Sequence, residues 1–449
     1  MSEVKRRDDI PEEYKWRIED IFGSDVEWER AYEGACSIPE ELAAYAGRLS
    51  DGTALLEFLR KNDEADITLS ALYRYASMKS DEDTTVGKYT EMEGRAYDLY
   101  VRVGAACAFA TPEIMAIPEE QVERLYDAEP GLSLYRLAID RILVRRPHVL
   151  SENEERLLAM ASQMGKAPGD ISSKLSDADM TFPDVDTPEG PKALTQGSYA
   201  VYRTHTDREV RRDAFVKLHE AYNSMGNTFA ATLDSQMKQL KFFADARRYP
   251  STLEAALSSN EVPTAVYTNL IDTVRANMDK MHGYIALRKK LLGLEELHMY
   301  DLYVPIVGDA AVTVPYEVAV ENCMEAVRPL GEAYCAVMRE GFDNRWVDVY
   351  ESKGKRSGAY SSGARPHPFV LLNYADTLDS EFTLIHEMGH SLHSYLSKEG
   401  QPTVYSDYVI FVAEVASTYN EVLLMKHLLS RTEDKRQRAY LINYFLEQF

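Results

Sequence analysis

The sequence is short of cysteine and of positive charge, and it has no long apolar run. Four cysteines, Cys36, Cys107, Cys323 and Cys335, are scattered over 449 residues without paired spacing. That excludes a disulfide framework and a cysteine-built metal site, and it reads as reduced thiols in a cytoplasmic protein. Lysine and arginine number 50 against 73 aspartates and glutamates, a net charge of −23. Such a shortage of cations argues against nucleic acid or an anionic membrane as partner. No apolar stretch approaches the length of a membrane span. The basic residues Lys5, Arg6 and Arg7 are followed by Asp8 and Asp9, not by the apolar core of a secretory signal. Internal repeats and low-complexity segments are also lacking. What remains, 45% hydrophobic and 27% charged residues, is ordinary globular composition in a chain long enough for two or more domains.

Helix punctuation dominates what is present. Ser151-Glu152-Asn153-Glu154 and Ser251-Thr252-Leu253-Glu254 are capping-box starts to long periodic segments, and Pro118 and Pro315 stand where prolines open helices. The pattern breaks between 178 and 197, where Pro183, Pro188, Gly190 and Pro191 bring turn chemistry between short apolar stretches. We therefore expect an N-terminal helical domain over 1–180, a hairpin or linker over 181–197, and a domain over 198–449 that carries the chemistry. Trp346 to Tyr350 and His367 to Tyr374 are the strand candidates, and they predict a small sheet just before the helix that matters most.

That helix contains His386-Glu387-Met388-Gly389-His390. Histidines four apart on a helix lie on one face, one turn above each other, so both imidazoles can close on a single ion. Glu387 between them is placed to act as general base toward water activated by that ion. Leu384, Ile385, Met388, Leu392 and Leu396 recur at helical spacing, and Thr377 or Asp379 can cap the start. The competing reading is a helix with two surface histidines and a solvated glutamate. A hydrolytic zinc site takes three protein ligands, and the downstream candidates are His393, Glu399, Asp407, Glu414 and Glu421. His393 lies roughly 10 Å along the axis from His386, which suits a substrate-facing or outer residue better than a ligand. Val409 to Leu429 reads as a second helix, with Glu414 inside the apolar run Phe411 to Ser417. A carboxylate buried there needs a cation, which makes Glu414 the expected third ligand; an exposed glutamate on a helix flank is the alternative. Glu421, seven residues further on the same face, either orients a ligand imidazole or forms a surface ion pair.

Several segments now carry a resemblance. Arg356-Ser357-Gly358-Ala359-Tyr360, Pro368 to Tyr374, Phe382 to Ser394 and Phe411 to Thr418 resemble oligoendopeptidase F, a group within the thimet-oligopeptidase-like zinc metallopeptidases. The interval of about two dozen residues from His390 to Glu414 matches the family's. Likeness extends through Asp207 to Arg211 and Asn227 to Ala231 and, more weakly, to Tyr14-Lys15-Trp16, so it covers most of the chain. The resemblance implies a mainly α, large helical zincin-type metallopeptidase, with a small β-sheet beside the active site and a substrate channel between helical domains. It implies a zinc-dependent endopeptidase of short unstructured oligopeptides, with one Zn2+ per chain held by His386, His390 and Glu414 and with Glu387 as base. Cobalt or manganese would suit the same donors.

For substrate contact we expect Phe369 to Asn373 to be an exposed strand edge that holds the peptide extended through Phe369 and Leu371. Gly358 and Tyr360 would lie in a loop that closes over it, and His393 would face it. A core strand and a plain surface loop are the alternative. Family members continue past the position of Phe449, and their later segment supplies histidines and tyrosines that stabilise the oxyanion. The resemblance thus implies a missing C-terminal segment or a separate chain completing the site, or a substitute donor from His393, Tyr405 or Tyr408. Two further readings stay open: a catalytically impaired, zinc-stabilised peptide-binding fragment, and a helical zinc carboxypeptidase with the same histidine-glutamate core.

Overall fold

The computed structural model describes residues 5–307 and 313–448. Its contacts divide the chain into two compact units, Met1–Arg146 with Ala310–Phe449, and Pro147–Asp309. This grouping differs from a boundary at 181–197. That stretch is instead a local hairpin inside the second unit, β1 (Val185–Thr187) paired antiparallel with β2 (Gly190–Lys192). Gly190 turns it with φ +106°, a backbone angle that costs glycine little. Turn chemistry shows where a chain reverses, but not which body its two arms belong to.

The second unit is helical, with Glu152–Gly165, Arg208–Ser224, Gly226–Ala246, Thr264–Ala276 and Met278–Leu291 as its longer elements. Ser251 caps a helix as expected, its hydroxyl accepting from the Glu254 N–H at 3.1 Å, but that helix ends at Ser258. Pro263 keeps the residue before it out of helical geometry, and a new helix starts at Thr264. Val185, Leu194, Val210, Ala214 and Leu218 form a small core. Beside it the buried Asp301 is matched by Arg208 and Arg211, each at 2.9 Å.

The first unit holds the helices α1 (Gly52–Glu82), α2 (Gly87–Ala106), α3 (Tyr316–Ala326), α4 (Glu332–Asp343), α5 (Leu378–Gly400), α6 (Ile410–Arg431) and α7 (Lys435–Gln448). The Asp51 carboxylate caps α1, accepting from the Ala54 N–H at 2.9 Å. One core gathers Trp16, Trp28, Leu55, Leu72 and Leu99 around α1 and α2. A second gathers Ala319, Met338, Phe382, Ile385, Met388 and Leu424 around α3 to α6.

A sheet of β3 (Val347–Tyr350), β4 (Tyr360–Ser362) and β5 (Phe369–Tyr374) joins the two cores. Its order is β3-β5-β4, with β3 parallel and β4 antiparallel to the central β5. Side chains alternate along a strand, so Phe369 and Leu371 enter the first core while Val370, Leu372 and Tyr374 enter the second. The strand is therefore apolar without interruption. This overturns the expectation that Phe369 to Asn373 is an exposed edge: β5 is paired on both sides, and Phe369 and Leu371 are 0% exposed. The outer strands are β3 and β4, and of these β4 packs against α5. All four cysteines are unpaired, and no single described helix is long and apolar enough to cross a membrane.

Candidate metal centre

Helix α5 begins where Thr377 accepts a hydrogen bond from the Ser380 N–H at 3.1 Å. Leu378, Phe382, Ile385, Met388 and Leu392 follow at helical spacing and are all buried, which fixes the helix's rotation and turns its other flank toward α6. The two helices touch at Gly389. A Cβ there would lie 2.7 Å from Ser417 Cα and 3.0 Å from the Ala416 carbonyl oxygen, so only glycine allows this approach. Ser417 and Asn420 of α6 are buried against it.

The close approach brings the expected ligands together. His386 Nε2 lies 3.3 Å and His390 Nε2 3.4 Å from Glu414 Oε2. One ligand atom from each of the three residues falls within 4.8 Å of the others. The Ser417 hydroxyl donates to Glu414 Oε2 at 2.8 Å and holds that carboxylate in place. The Glu414 side chain is nonetheless 61% exposed, and its neighbours Phe411 and Val415 are exposed too. It is not buried in an apolar run, because successive residues of a helix point in different directions and the start of α6 has only one face covered.

On the far side of His386, the Glu421 carboxylate accepts from Nδ1. A carboxylate there holds the proton on Nδ1 and leaves the Nε2 lone pair facing His390 and Glu414. The Glu421 hydrogen bond raises the His386 pKa, with burial opposing it. Burial lowers the His390 pKa, with the neighbouring His386 charge adding to the effect. Glu387, 8% exposed, is pushed up to about 7 by burial; the His386 charge opposes the rise and the Glu414 charge adds to it. Two imidazoles and a carboxylate converging on one point are a donor set that zinc takes, and the residues present fit the ion.

Other expected site residues are placed as follows. The His393 ring stacks on Tyr408 at 3.6 Å between centroids, and its buried Nδ1 has no hydrogen-bond partner. The Tyr408 hydroxyl lies 3.0 Å from Ser394 Oγ, and the Tyr405 oxygen accepts from the Ala138 N–H at 3.3 Å. Gly358 takes φ +85°, and its carbonyl accepts from the Asn373 side-chain amide at 2.8 Å. The Tyr360 hydroxyl donates to Asp81 at 2.7 Å, and burial raises its pKa far above the usual phenol value. Phe369 and Leu371, being wholly buried, are out of reach of any substrate.

Sequence reasoning missed Gly389, Ser417 and Ser361. Ser361 of β4 lies 2.8 Å, Oγ to Oγ, from Ser391, one turn beyond Glu387, and its backbone N–H counters the rise in the Glu387 pKa. A small residue between the two histidines was the available signal for close helix packing. Ser361 gave no signal of its own.

The chain matches the family model described as Peptidase family M3 over residues 201–449, and the one described as Oligopeptidase F over 113–182. It is 43% identical to Oligopeptidase PepF of Bacillus subtilis over 458 residues, an alignment covering 100% of this chain and 68% of that protein. It is 38% identical to the Group B oligopeptidase PepB of Streptococcus agalactiae, covering 99% of this chain and 74% of that one. The crystal structure of oligoendopeptidase-F from Enterococcus faecium superposes with a TM-score of 0.65 at 34% identity, covering 95% of this chain and 71% of that one. A Chlamydophila abortus protein superposes with a TM-score of 0.91 at 31% identity over 99% of this chain and 76% of that one. The chain spans 68 to 76% of the length of these relatives.

Proposed function

The chain belongs to peptidase family M3 and is a metallopeptidase, and from that premise we propose that it is a zinc-dependent endopeptidase of short unstructured oligopeptides in the cytoplasm. The observation that carries the reading is the convergence of His386 Nε2, His390 Nε2 and a Glu414 oxygen, with the buried Glu387 beside them. His386, His390 and Glu414 hold the ion, Glu421 orients the His386 ring, and Ser417 steadies the Glu414 carboxylate. When bound, zinc supplies a Lewis acid that makes water more acidic and polarises the scissile carbonyl.

Glu387 takes the proton from the attacking water and returns it to the leaving amine as the C–N bond breaks. Glu387 is buried, 8% exposed, beside the ligand histidines, which holds its carboxylate in place for both halves of that exchange. The peptide lies extended along the free edge of β4, beside Glu387, and adds a strand through backbone hydrogen bonds. This role replaces the one expected of β5.

The test is Glu387→Gln in zinc-loaded protein, assayed on an internally quenched peptide blocked at both ends. The parent should cut it internally, and the variant should bind one zinc per chain and cut nothing. Cleavage retained by the variant would remove Glu387 from the mechanism. A parent that binds no stoichiometric metal would remove the zinc site, and one that acts only on free termini would favour an exopeptidase.

A further inference from the structure

Arg74 of α1 is a half-buried cation that no acid neutralises among the described residues. Its Nη1 donates to the Ser362 hydroxyl at 2.7 Å and its Nε to the Ser70 hydroxyl at 3.1 Å. Among the described residues no carboxylate pairs with it. Arg7 of the same unit is by contrast paired with Asp348 and Glu82, and Arg95 with Glu29, while Arg146 spends its donors on the Met115 and Ile117 carbonyls. A guanidinium carries five donors in a rigid fork, and neutral hydroxyls leave its charge uncompensated where water is partly excluded.

Its position gives that charge meaning. Ser362 ends β4, one of the two outer strands of the sheet. The preceding Ser361 is bridged to Ser391 of α5, and the following Gly363 backs so closely onto Ser394 that a Cβ would lie 2.8 Å from the Ser394 Cβ. The Arg74 head is thus held at the end of the edge strand, which runs along the helix carrying His386, Glu387 and His390. Exposed Tyr100 stands in the same neighbourhood. Its hydroxyl feels the charges of Arg74, Asp66 and Asp407 and donates to Asp66 at 3.4 Å. The two acids lie within electrostatic reach of this surface but do not pair with the guanidinium.

We propose that Arg74 is a specificity residue that binds a carboxylate of the peptide laid along β4, either its C-terminal carboxylate or an acidic side chain. The inference rests on the proposed function above, in which β4 is the substrate edge. A net charge of −23 repels anionic peptides at long range, so recognition of a carboxylate has to be local. The charge-assisted fork of an arginine is the group suited to it. If Arg74 merely ties α1 to β4, its two serine contacts are its whole role.

The experiment measures peptide binding to the zinc-loaded full chain in the Glu387→Gln background, where nothing is turned over. The probes are a fluorescent octapeptide with one internal glutamate and a free C-terminus, the same peptide as its C-terminal amide, and the same peptide with that glutamate changed to glutamine. The Arg74-containing protein should bind one of the two neutralised probes roughly 10- to 100-fold more weakly than the first. Which probe loses affinity identifies the source of the carboxylate. Arg74→Met should abolish that preference and leave the weaker probe within about threefold, while Arg74→Lys should restore part of it. Equal binding of all three probes by the Arg74 protein overturns the proposal, and this comparison needs no variant at Arg74 to fold. A uniform loss across probes in a folded Arg74→Met protein overturns it as well, in favour of a tether. Failure of the parent to cleave any peptide would instead sink the endopeptidase reading, so the two failures are separable.

Discussion

Replacing Gly389 with alanine is a substitution whose sign is decided by geometry. At an open helical position the change would stabilise the protein by about 1 kcal/mol, since glycine loses more backbone freedom on folding. At 389 the new methyl carbon would lie 2.7 Å from Ser417 Cα, 2.9 Å from Asn420 Nδ2 and 3.0 Å from the Ala416 carbonyl oxygen. Favourable carbon contacts sit near ~3.5 to 4 Å, so α5 and α6 must part by on the order of 1 Å. Two of the three obstructing atoms are backbone, and Ser417 and Asn420 are themselves buried, so no flexible side chain can give way. Overpacking of this kind costs about 1–3 kcal/mol, which outweighs the gain in helix propensity. The parting also carries Glu414 and Glu421, both on α6, away from His386 and His390. We therefore expect zinc affinity to fall by at least about tenfold, together with a lower melting temperature of the metal-free protein. Chelator competition measures the first and calorimetry the second. Gly94→Ala on α2, an exposed position where a Cβ meets nothing within 4 Å, is the control and should raise the melting temperature slightly. If Gly389→Ala holds zinc and melts like the parent, the helices are not locked at that point, and the account of how Glu414 reaches the histidines is wrong.

Three further outcomes are expected. Glu421→Gln keeps a hydrogen-bonding group beside His386 Nδ1 but removes its charge, so zinc affinity should fall by roughly 10- to 100-fold; unchanged affinity in a competition titration would reduce Glu421 to a surface partner. Glu414→Ala should lose zinc far more readily than His393→Ala, and the reverse order by metal analysis would show that the third ligand was misassigned. Glu381 is 1% exposed, has the Asn322 amide donating to it at 2.7 Å, and is pushed by burial from 4.5 up to about 7. Between those values the folded state keeps a proton that the unfolded state has released. This group's contribution is therefore fully favourable below pH 4.5 and is lost as pH rises through about 7, on the order of 3 kcal/mol in all. Glu381→Gln should accordingly melt higher than the parent at pH ~8 and match it at pH ~4.5, as read by thermal unfolding; an advantage independent of pH would refute the assignment.

The parts of the site that could be read from the chain are those whose geometry is local. His386, Glu387 and His390 are related by one turn of one helix, and the cap at Thr377 lies next to them in sequence. A second helix near Val409 was equally readable, since periodicity over twenty residues leaves little freedom; it runs from Ile410 to Arg431. What could not be read depends on how distant segments meet. The second unit interrupts the first between Arg146 and Ala310, yet no cluster of turn residues distinguishes those crossings from an ordinary loop. The apolar sequence neighbours of Glu414 do not enclose it in space. Phe411 and Val415 point outward instead, and the carboxylate meets the imidazoles from an exposed position.

The misplaced substrate edge is the more instructive error, because the strand pattern already held the answer. Phe369-Val370-Leu371-Leu372 is apolar at four successive positions, and a strand that is apolar on both faces must be covered on both. Such a strand belongs in the middle of a sheet, where its neighbours also occupy both of its edges. Tyr360-Ser361-Ser362 is short and polar, the character of an edge strand, and it lacks the alternation that marks a half-buried strand. Position in the sheet follows from that contrast: the apolar strand is central because it gains most from being enclosed, and the polar one stays outside because its serines have partners on α5 and α1. The same two contacts place the free edge of β4 between the helix that carries Glu387 and the helix that carries Arg74. An extended peptide added there would have the metal ligands to one side and an uncompensated cation to the other.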